Sequence, residues 1–117
     1  MTAEEVFNSL SAKYGEAFNW YLLPLSQSNG TLVDELKKEL SKDHFLYHQE
    51  IWAVAKCAAN DDVLYVTASD SGGSIYYIFH LTYSTQNLPG FPRCEKFADI
   101  CAVKEYIERT FIKNHTE

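Results

Sequence analysis

The residues of this chain whose types and spacing could do chemistry are His80, Thr82 and Ser84, in the stretch "IYYIFHLTYS". Because they alternate, a β-strand would project all three from one face. A histidine can activate a hydroxyl as a nucleophile when the two groups lie about 3 Å apart. Along one strand, however, His80 and Ser84 would be ~13 Å apart, and no G-x-S-x-G sequence surrounds Ser84. The row therefore indicates polar groups where a sheet end meets a loop, with a binding patch as the alternative.

Tyr76 shares the same face of this strand and extends the row toward a pocket between sheet and helices. In a small-ligand-binding domain such a pocket would use a few convergent polar groups. The candidate ligand contacts are Tyr76, His80, Thr82 and Ser84. No catalytic residue is identified, since no motif supplies a nucleophile, an oxyanion donor or a metal. A hydrolase or transferase is therefore the least favoured reading, and enzymatic activity is left open.

His44 and His48 have the i, i+4 spacing of two metal ligands on a helix. A zinc site needs three or four protein ligands, and no further one is indicated here. The sequence therefore predicts neither a metal nor another cofactor.

Three strands must position these residues. Apolar stretches with strand character cover 51–58, 62–68 and 75–84, separated by short turn sequences. Strands joined by tight turns pair antiparallel, because parallel pairs need long crossover connections. A fourth, short strand is indicated around Cys94 to Phe97. The strands predict a three- to four-stranded antiparallel meander.

Helical spacing flanks this meander on both sides. Thr2 and Glu5 form a capping-box sequence, Thr31 is a candidate cap for a second helix, and Asp99 is one for a C-terminal helix. The prediction is a single α+β domain over residues 1–117, with two N-terminal helices, the meander, and a C-terminal helix packed on the sheet.

The sequence predicts the environment of one face of the sheet more clearly than that of the other. The apolar residues Ile75, Tyr77, Phe79 and Leu81 indicate the face that packs on helices. The other face carries Trp52 and Tyr76. Either the segment "NWYLLPL" covers these aromatic residues, or they form an exposed patch for a partner.

Composition narrows the function classes. The net charge is −6, with a pI of about 5.1, which argues against nucleic acid, because phosphate binding relies on clustered Lys and Arg. Three cysteines without a CxxC pair indicate reduced thiols. The stretch "MTAEEVFNSL" lacks the pattern of a signal peptide, and no apolar run has the length of a membrane span. We therefore expect a cytoplasmic domain without a membrane partner.

The leading interpretation is a non-enzymatic domain that binds one basic protein partner. Immunity proteins that oppose basic nuclease toxins are one class of this size and charge, and adaptors are another. The candidate partner-binding residues are Trp52, Glu35, Glu39, Asp61 and Asp62. Homo-oligomerisation has no support in the sequence.

Four patterns carry a resemblance. They are the alternating strand Ala53 to Ala55, the acidic pair at Asp61 to Leu64, the strand end H-L-T-Y-S at His80 to Ser84, and the P-x-x-x-x-F segment at Pro92 to Phe97. Over roughly residues 44–112 the chain resembles a group of small bacterial α+β proteins with an H-L-T-[WY]-S strand end and no assigned activity. The resemblance implies a bacterial origin and a compact domain, not a reaction.

Overall fold

The computed structural model describes residues 2–24, 30–40, 46–58, 60–68, 73–81 and 93–115. The chain begins with helix α1 (Ala3–Tyr14), a 3-10 turn (Gly15–Ala17) and strand β1 (Trp20–Leu22). Helix α2 (Thr31–Glu39) precedes strands β2 (Trp52–Cys57), β3 (Asp62–Ala68), β4 (Ser74–His80) and β5 (Arg93–Phe97), and helix α3 (Ile100–His115) follows.

The strands form one antiparallel sheet in the order β1-β2-β3-β4-β5. The predicted α+β class with an antiparallel sheet is confirmed, but the sheet has five strands rather than three or four. The additional strand is β1, in which Trp20 pairs with Cys57 and Leu22 with Ala55. The "NWYLLPL" segment thus contributes an edge strand instead of a cover over the sheet.

Local capping explains where the helices begin and end. The capping box at the start of α1 is confirmed, with Thr2 Oγ1 accepting from the Glu5 amide at 3.1 Å and Glu5 Oε1 accepting from the Thr2 amide at 3.0 Å. Gly15 ends the helix at φ 62°, a conformation that glycine adopts without steric cost. Asp99 caps α3 by accepting from the Ala102 amide at 2.8 Å.

The predicted cap of α2 is wrong by one residue. Gly30 occupies the N-cap position and Thr31 is the first helical residue, with no side-chain hydrogen bond to the cap. Glycine is tolerated at an N-cap almost as well as a hydroxyl residue. The helix therefore begins without the side-chain acceptor that its sequence offers.

Helices cover both faces of the sheet. On one face α1 and α3 bury Leu64 and Ile78 of the central strands. On the other face α2, together with Leu46 and Ile51, packs against side chains of β3 and β4 that include Tyr65 and Phe79. The two N-terminal helices therefore lie on opposite sides of one sheet.

This arrangement answers the question about the second face. Ile75, Tyr77 and Phe79 do face a helix, but that helix is α2. The opposite face is covered mainly by α1 and α3, which leave Trp52 36% exposed at the start of β2.

Strand β2 contains a bulge. Ala53 pairs with Tyr65 and Ala55 pairs with Leu64, so Val54 is an extra residue relative to β3. Residues two positions apart in a regular strand lie on the same face of the sheet. Because of the extra residue, Ala53 instead packs on the α2 side and Ala55 on the α1 and α3 side.

Candidate functional site

The sheet brings three chemically distinct side chains into one row at the end where β3 begins. Asp62 of β3 pairs directly with His80 of β4, and the β2–β3 register continues from Lys56 opposite Val63 to Cys57 opposite Asp62. Adjacent strands lie about 4.8 Å apart. The order across the sheet is therefore cysteine, aspartate, histidine.

Asp62 and His80 are in direct contact. Nδ1 of the imidazole lies within hydrogen-bonding distance of Asp62 Oδ1, with the side chains 36% exposed for His80 and 17% for Asp62. An ionised carboxylate only accepts hydrogen bonds, so the imidazole is the donor in a contact with it, through Nδ1. The contact fixes the orientation of the carboxylate.

A cavity of about 180 Å³ lies beside this pair, between the sheet end and the last turns of α3. We call it the sheet-end cavity. Its lining residues are Asn19, Trp20, Cys57, Asn60, Asp62, Tyr106, Thr110 and Phe111. It combines an apolar wall with a carboxylate, amides and hydroxyls.

Tyr106 reports the electrostatics of the cavity. Burial raises the pKa of its phenol, and the negative charges of Glu95 and Asp62 raise that pKa further, while Arg109 opposes them. Carboxylates raise a phenol pKa because they disfavour the phenolate anion. Burial and the two carboxylates therefore both disfavour a phenolate at Tyr106.

The order of the row does not suit nucleophilic catalysis by Cys57. The carboxylate of Asp62 stands between the thiol and the imidazole, so His80 is two strands away from Cys57. A base has to contact the thiol to activate it. Cys94 pairs with Phe79 and therefore lies on the other face from His80. Neither cysteine is placed beside the imidazole.

The other candidate ligand contacts do not join this site. Tyr76 is half-buried at the opposite end of β4, where it pairs with Val66 and Phe97. Thr82 and Ser84 lie outside the described residues. Of the predicted ligand-binding row, His80 reaches the sheet-end cavity indirectly, through Asp62.

The candidate partner-binding residues occupy three different places. Asp61 is exposed next to the half-buried Asp62, at the turn before β3. Trp52 lies beside a surface groove of about 400 Å³ between α2 and the start of β2. Glu39 is only 5% exposed, so its carboxyl is not part of the exposed acidic surface, and Glu35 is hydrogen-bonded to it.

The groove beside Trp52 is larger than the sheet-end cavity but chemically less defined. Its lysine, Lys37, donates to the carbonyls of Leu46, Tyr47 and Gln49 at 2.8, 2.6 and 2.5 Å. Burial lowers the pKa of this ammonium. Because Lys37 is held by the backbone of residues 46–49, it stabilises that turn rather than offering a charge to a ligand.

Tyr106 and Thr110 are lining residues that the sequence did not indicate. Both lie on α3, and their position over the sheet end depends on how that helix crosses the strands. The signal that the sequence offered was a tyrosine directly before Ile107 of the apolar stripe; its half-burial is seen only in the structure.

Within the described ranges, no cluster brings together three or more His, Cys, Asp or Glu side chains in a metal-binding arrangement. Among the described helices, none combines the length and apolar character of a membrane span.

No protein-family model matches this chain, and neither curated proteins nor solved structures give a significant match. The function is therefore argued from the geometry and charge of the site itself.

Proposed function

We propose that this chain is a cytoplasmic protein-binding domain that recognises a basic protein through the acidic end of its sheet. The observation that carries the proposal is the carboxylate of Asp62 in the wall of the sheet-end cavity. Asp61 precedes it in an exposed position, and the charge of Glu95 acts on the lining residue Tyr106. A basic toxin opposed by an immunity protein is one such partner, and the target of an adaptor is another.

Further support comes from the state of the lysines. Lys56 donates to the carbonyls of Cys57 and Asn60 at 3.1 and 3.0 Å, and Lys13 donates to Glu108 at 2.7 Å. With Lys37, these contacts satisfy three of the ten basic residues within the chain. The net charge of −6 leaves an excess of carboxylates over cations, and such an excess steers a basic partner.

The first experiment is a pull-down from source-cell lysate with the tagged protein, washed at 50 mM and at 500 mM NaCl. We expect one stoichiometric basic protein that is retained at low salt and lost at high salt, because salt screens exposed charges. The retained protein is then purified and its Kd measured against variants.

Two double variants form a matched pair. Asp61→Asn with Glu95→Gln removes two charges beside the cavity, whereas Asp34→Asn with Glu50→Gln removes two exposed charges elsewhere. We expect the first pair to weaken binding by about tenfold, which is about 1.4 kcal/mol, and the second to change it less than twofold. Absence of any basic protein at low salt, or equal effects of both pairs, would contradict the proposal.

A second candidate function is binding of a small ligand, and the sheet-end cavity is the observation that favours it. Pockets for drug-sized ligands usually enclose about 300–1,000 Å³, so a cavity of about 180 Å³ admits only a small molecule. This function predicts a thermal shift with a metabolite that Asp62→Asn abolishes, together with an empty pull-down.

A further inference from the structure

We propose that the sheet-end cavity accepts the side chain of a lysine or arginine from the partner protein. This inference rests on the proposed function and names the chemical group that the acidic sheet end recognises. A single cationic side chain would then anchor the complex, while the surrounding carboxylates steer the partner's approach.

The volume of the sheet-end cavity is suited to one long side chain. A volume of about 180 Å³ is below the usual range of small-molecule pockets and is on the scale of one long side chain. The cavity is closed on one side by the sheet and on the other by Thr110 and Phe111 of α3. An inserted group must therefore be narrow and flexible, as an alkyl chain is.

The wall of the sheet-end cavity has an apolar part and a polar part. Trp20 and Phe111 are 8% and 7% exposed and Cys57 is 3% exposed, so these three residues supply apolar surface. Asp62 supplies a carboxylate in the same cavity. Lysine and arginine have the matching construction, because their methylene stems bury on apolar surface while the charged head stays with polar groups.

Charged side chains from several elements surround the sheet-end cavity. The charged groups around Tyr106 and Asp62 are Glu95 from β5, His80 from β4, Arg109 from α3 and Lys56 from β2, whose ammonium donates to the carbonyls of Cys57 and Asn60. Burial is the main cause of the raised pKa of the Tyr106 phenol; the charges of Glu95 and Asp62 add to it, and Arg109 opposes them. The carboxylate that lines the cavity is that of Asp62, which would attract an ammonium or guanidinium group and repel a carboxylate or phosphate.

The carboxylate of Asp62 is held in a fixed position. His80 holds Oδ1 of Asp62, so the carboxylate is oriented before a ligand arrives. An ionised carboxylate has about four lone-pair sites, and the histidine uses one of them. Pre-orientation lowers the entropic cost of binding, which is the usual reason that such second contacts strengthen a site.

The test uses model side chains on the intact protein. ¹⁵N-labelled protein is titrated with Nα-acetyl-lysine methylamide, Nα-acetyl-arginine methylamide and, as an uncharged control, Nα-acetyl-norleucine methylamide. We expect saturable shifts at Asp62, Tyr106 and Thr110 with the two cations, with Kd values of roughly 1–10 mM for so small a ligand. Norleucine should cause no saturable shift, and equal binding of norleucine would overturn the proposal.

Three variants locate the binding. Asp62→Asn should weaken the cation at least tenfold, because it removes the charge in the cavity. Asp34→Asn, at an exposed carboxylate of α2, should change the Kd less than twofold. Thr110→Leu fills the cavity without changing any charge and should abolish saturable binding, while the dispersion of the spectrum shows that each variant is folded.

The outcomes separate this inference from the proposed function. If a basic partner is retained but Thr110→Leu binds it as tightly as the wild type, the cavity is not the anchor and the inference fails, while recognition by the acidic surface stands. If the cations bind in the cavity but the lysate yields no basic protein, the proposed function fails, and with it the assignment of the side chain to a protein partner.

Discussion

At the scale of single residues, the Glu35–Glu39 pair of α2 is where charge and burial conflict. Glu39 is 5% exposed, and its hydrogen bond to Glu35, together with burial and the charge of Glu39, raises the pKa of Glu35. Oε2 of Glu35 is buried without a hydrogen-bond partner in the described structure. Because the folded state favours the protonated carboxyl, its stabilising contribution is present below the ordinary carboxyl pKa and is lost as pH rises through the raised value.

Replacement Glu35→Gln should therefore stabilise the protein at pH 7 by about 0.5 kcal/mol, since it removes a like-charge i, i+4 pair. The gain should shrink toward pH 4, where Glu35 is itself protonated. Urea unfolding at the two pH values measures this difference. Asp34→Asn, an exposed neighbour on the same helix, should give no gain, and a pH-independent gain for Glu35→Gln would disprove the explanation.

At the scale of elements, a hydrogen bond from Tyr65 helps to join α2 to the sheet. Tyr65 of β3 is 0% exposed, and its hydroxyl donates to the carbonyl of Leu32 at 2.8 Å. On the other side of the sheet, the carboxylate of Glu108 in α3 accepts from Lys13 and Tyr14 of α1 at 2.7 and 2.8 Å. Tyr65 is fully buried whereas Lys13 is exposed, so the contact of Tyr65 should contribute more to stability than the ion pair of Lys13 with Glu108.

Tyr65→Phe should cost about 1 kcal/mol of unfolding free energy, because a buried hydroxyl contact is lost. In this variant, hydrogen exchange with solvent should speed up more at the amides of α2 than at those of α1 and α3. Chemical denaturation and native-state hydrogen exchange provide the two readouts. Tyr21→Phe on the 47% exposed Tyr21 is the control, and a similar loss for both variants would refute the assignment.

Sequence patterns predicted the helices and strands better than they predicted which of these elements contact one another. Thr2 and Asp99 cap as expected, because capping depends on residues three positions apart. Strand β1 was missed because three residues before a proline give too short an alternation to separate a strand from an extended segment. His80 and Asp62 were each singled out, but their contact depends on strand register, and Tyr106 depends on how α3 crosses the sheet.

At the scale of the whole molecule, the net charge of −6 should destabilise the folded state through self-repulsion. The contacts of Lys37 and Lys56 direct two cations at backbone carbonyls rather than at carboxylates. Much of the acidic surface is therefore not neutralised by neighbouring lysines.

Raising NaCl from 10 to 300 mM should increase the unfolding temperature, since salt screens repulsion between exposed carboxylates. A variant with Asp34→Lys and Glu50→Lys, which changes the net charge from −6 to −2, should show a smaller increase. Differential scanning calorimetry measures both. A fall in unfolding temperature with salt in the wild type would mean that attractive ion pairs dominate instead.

The bulge in β2 has a consequence for how this chain tolerates changes in length. Val54 is surplus to the pairing with β3, yet its carbonyl accepts from the Leu23 amide at 2.9 Å and so continues the contact with the segment after β1. Deleting Val54 would leave Trp52, Ala53, Ala55 and Lys56 on their present faces, whereas deleting Tyr65 or Ile78 would turn half of a central strand inside out. Position 54 is thus where this sheet can lose a residue without inverting a strand, at the expense of its contact with the edge strand and of the packing of Val54 itself.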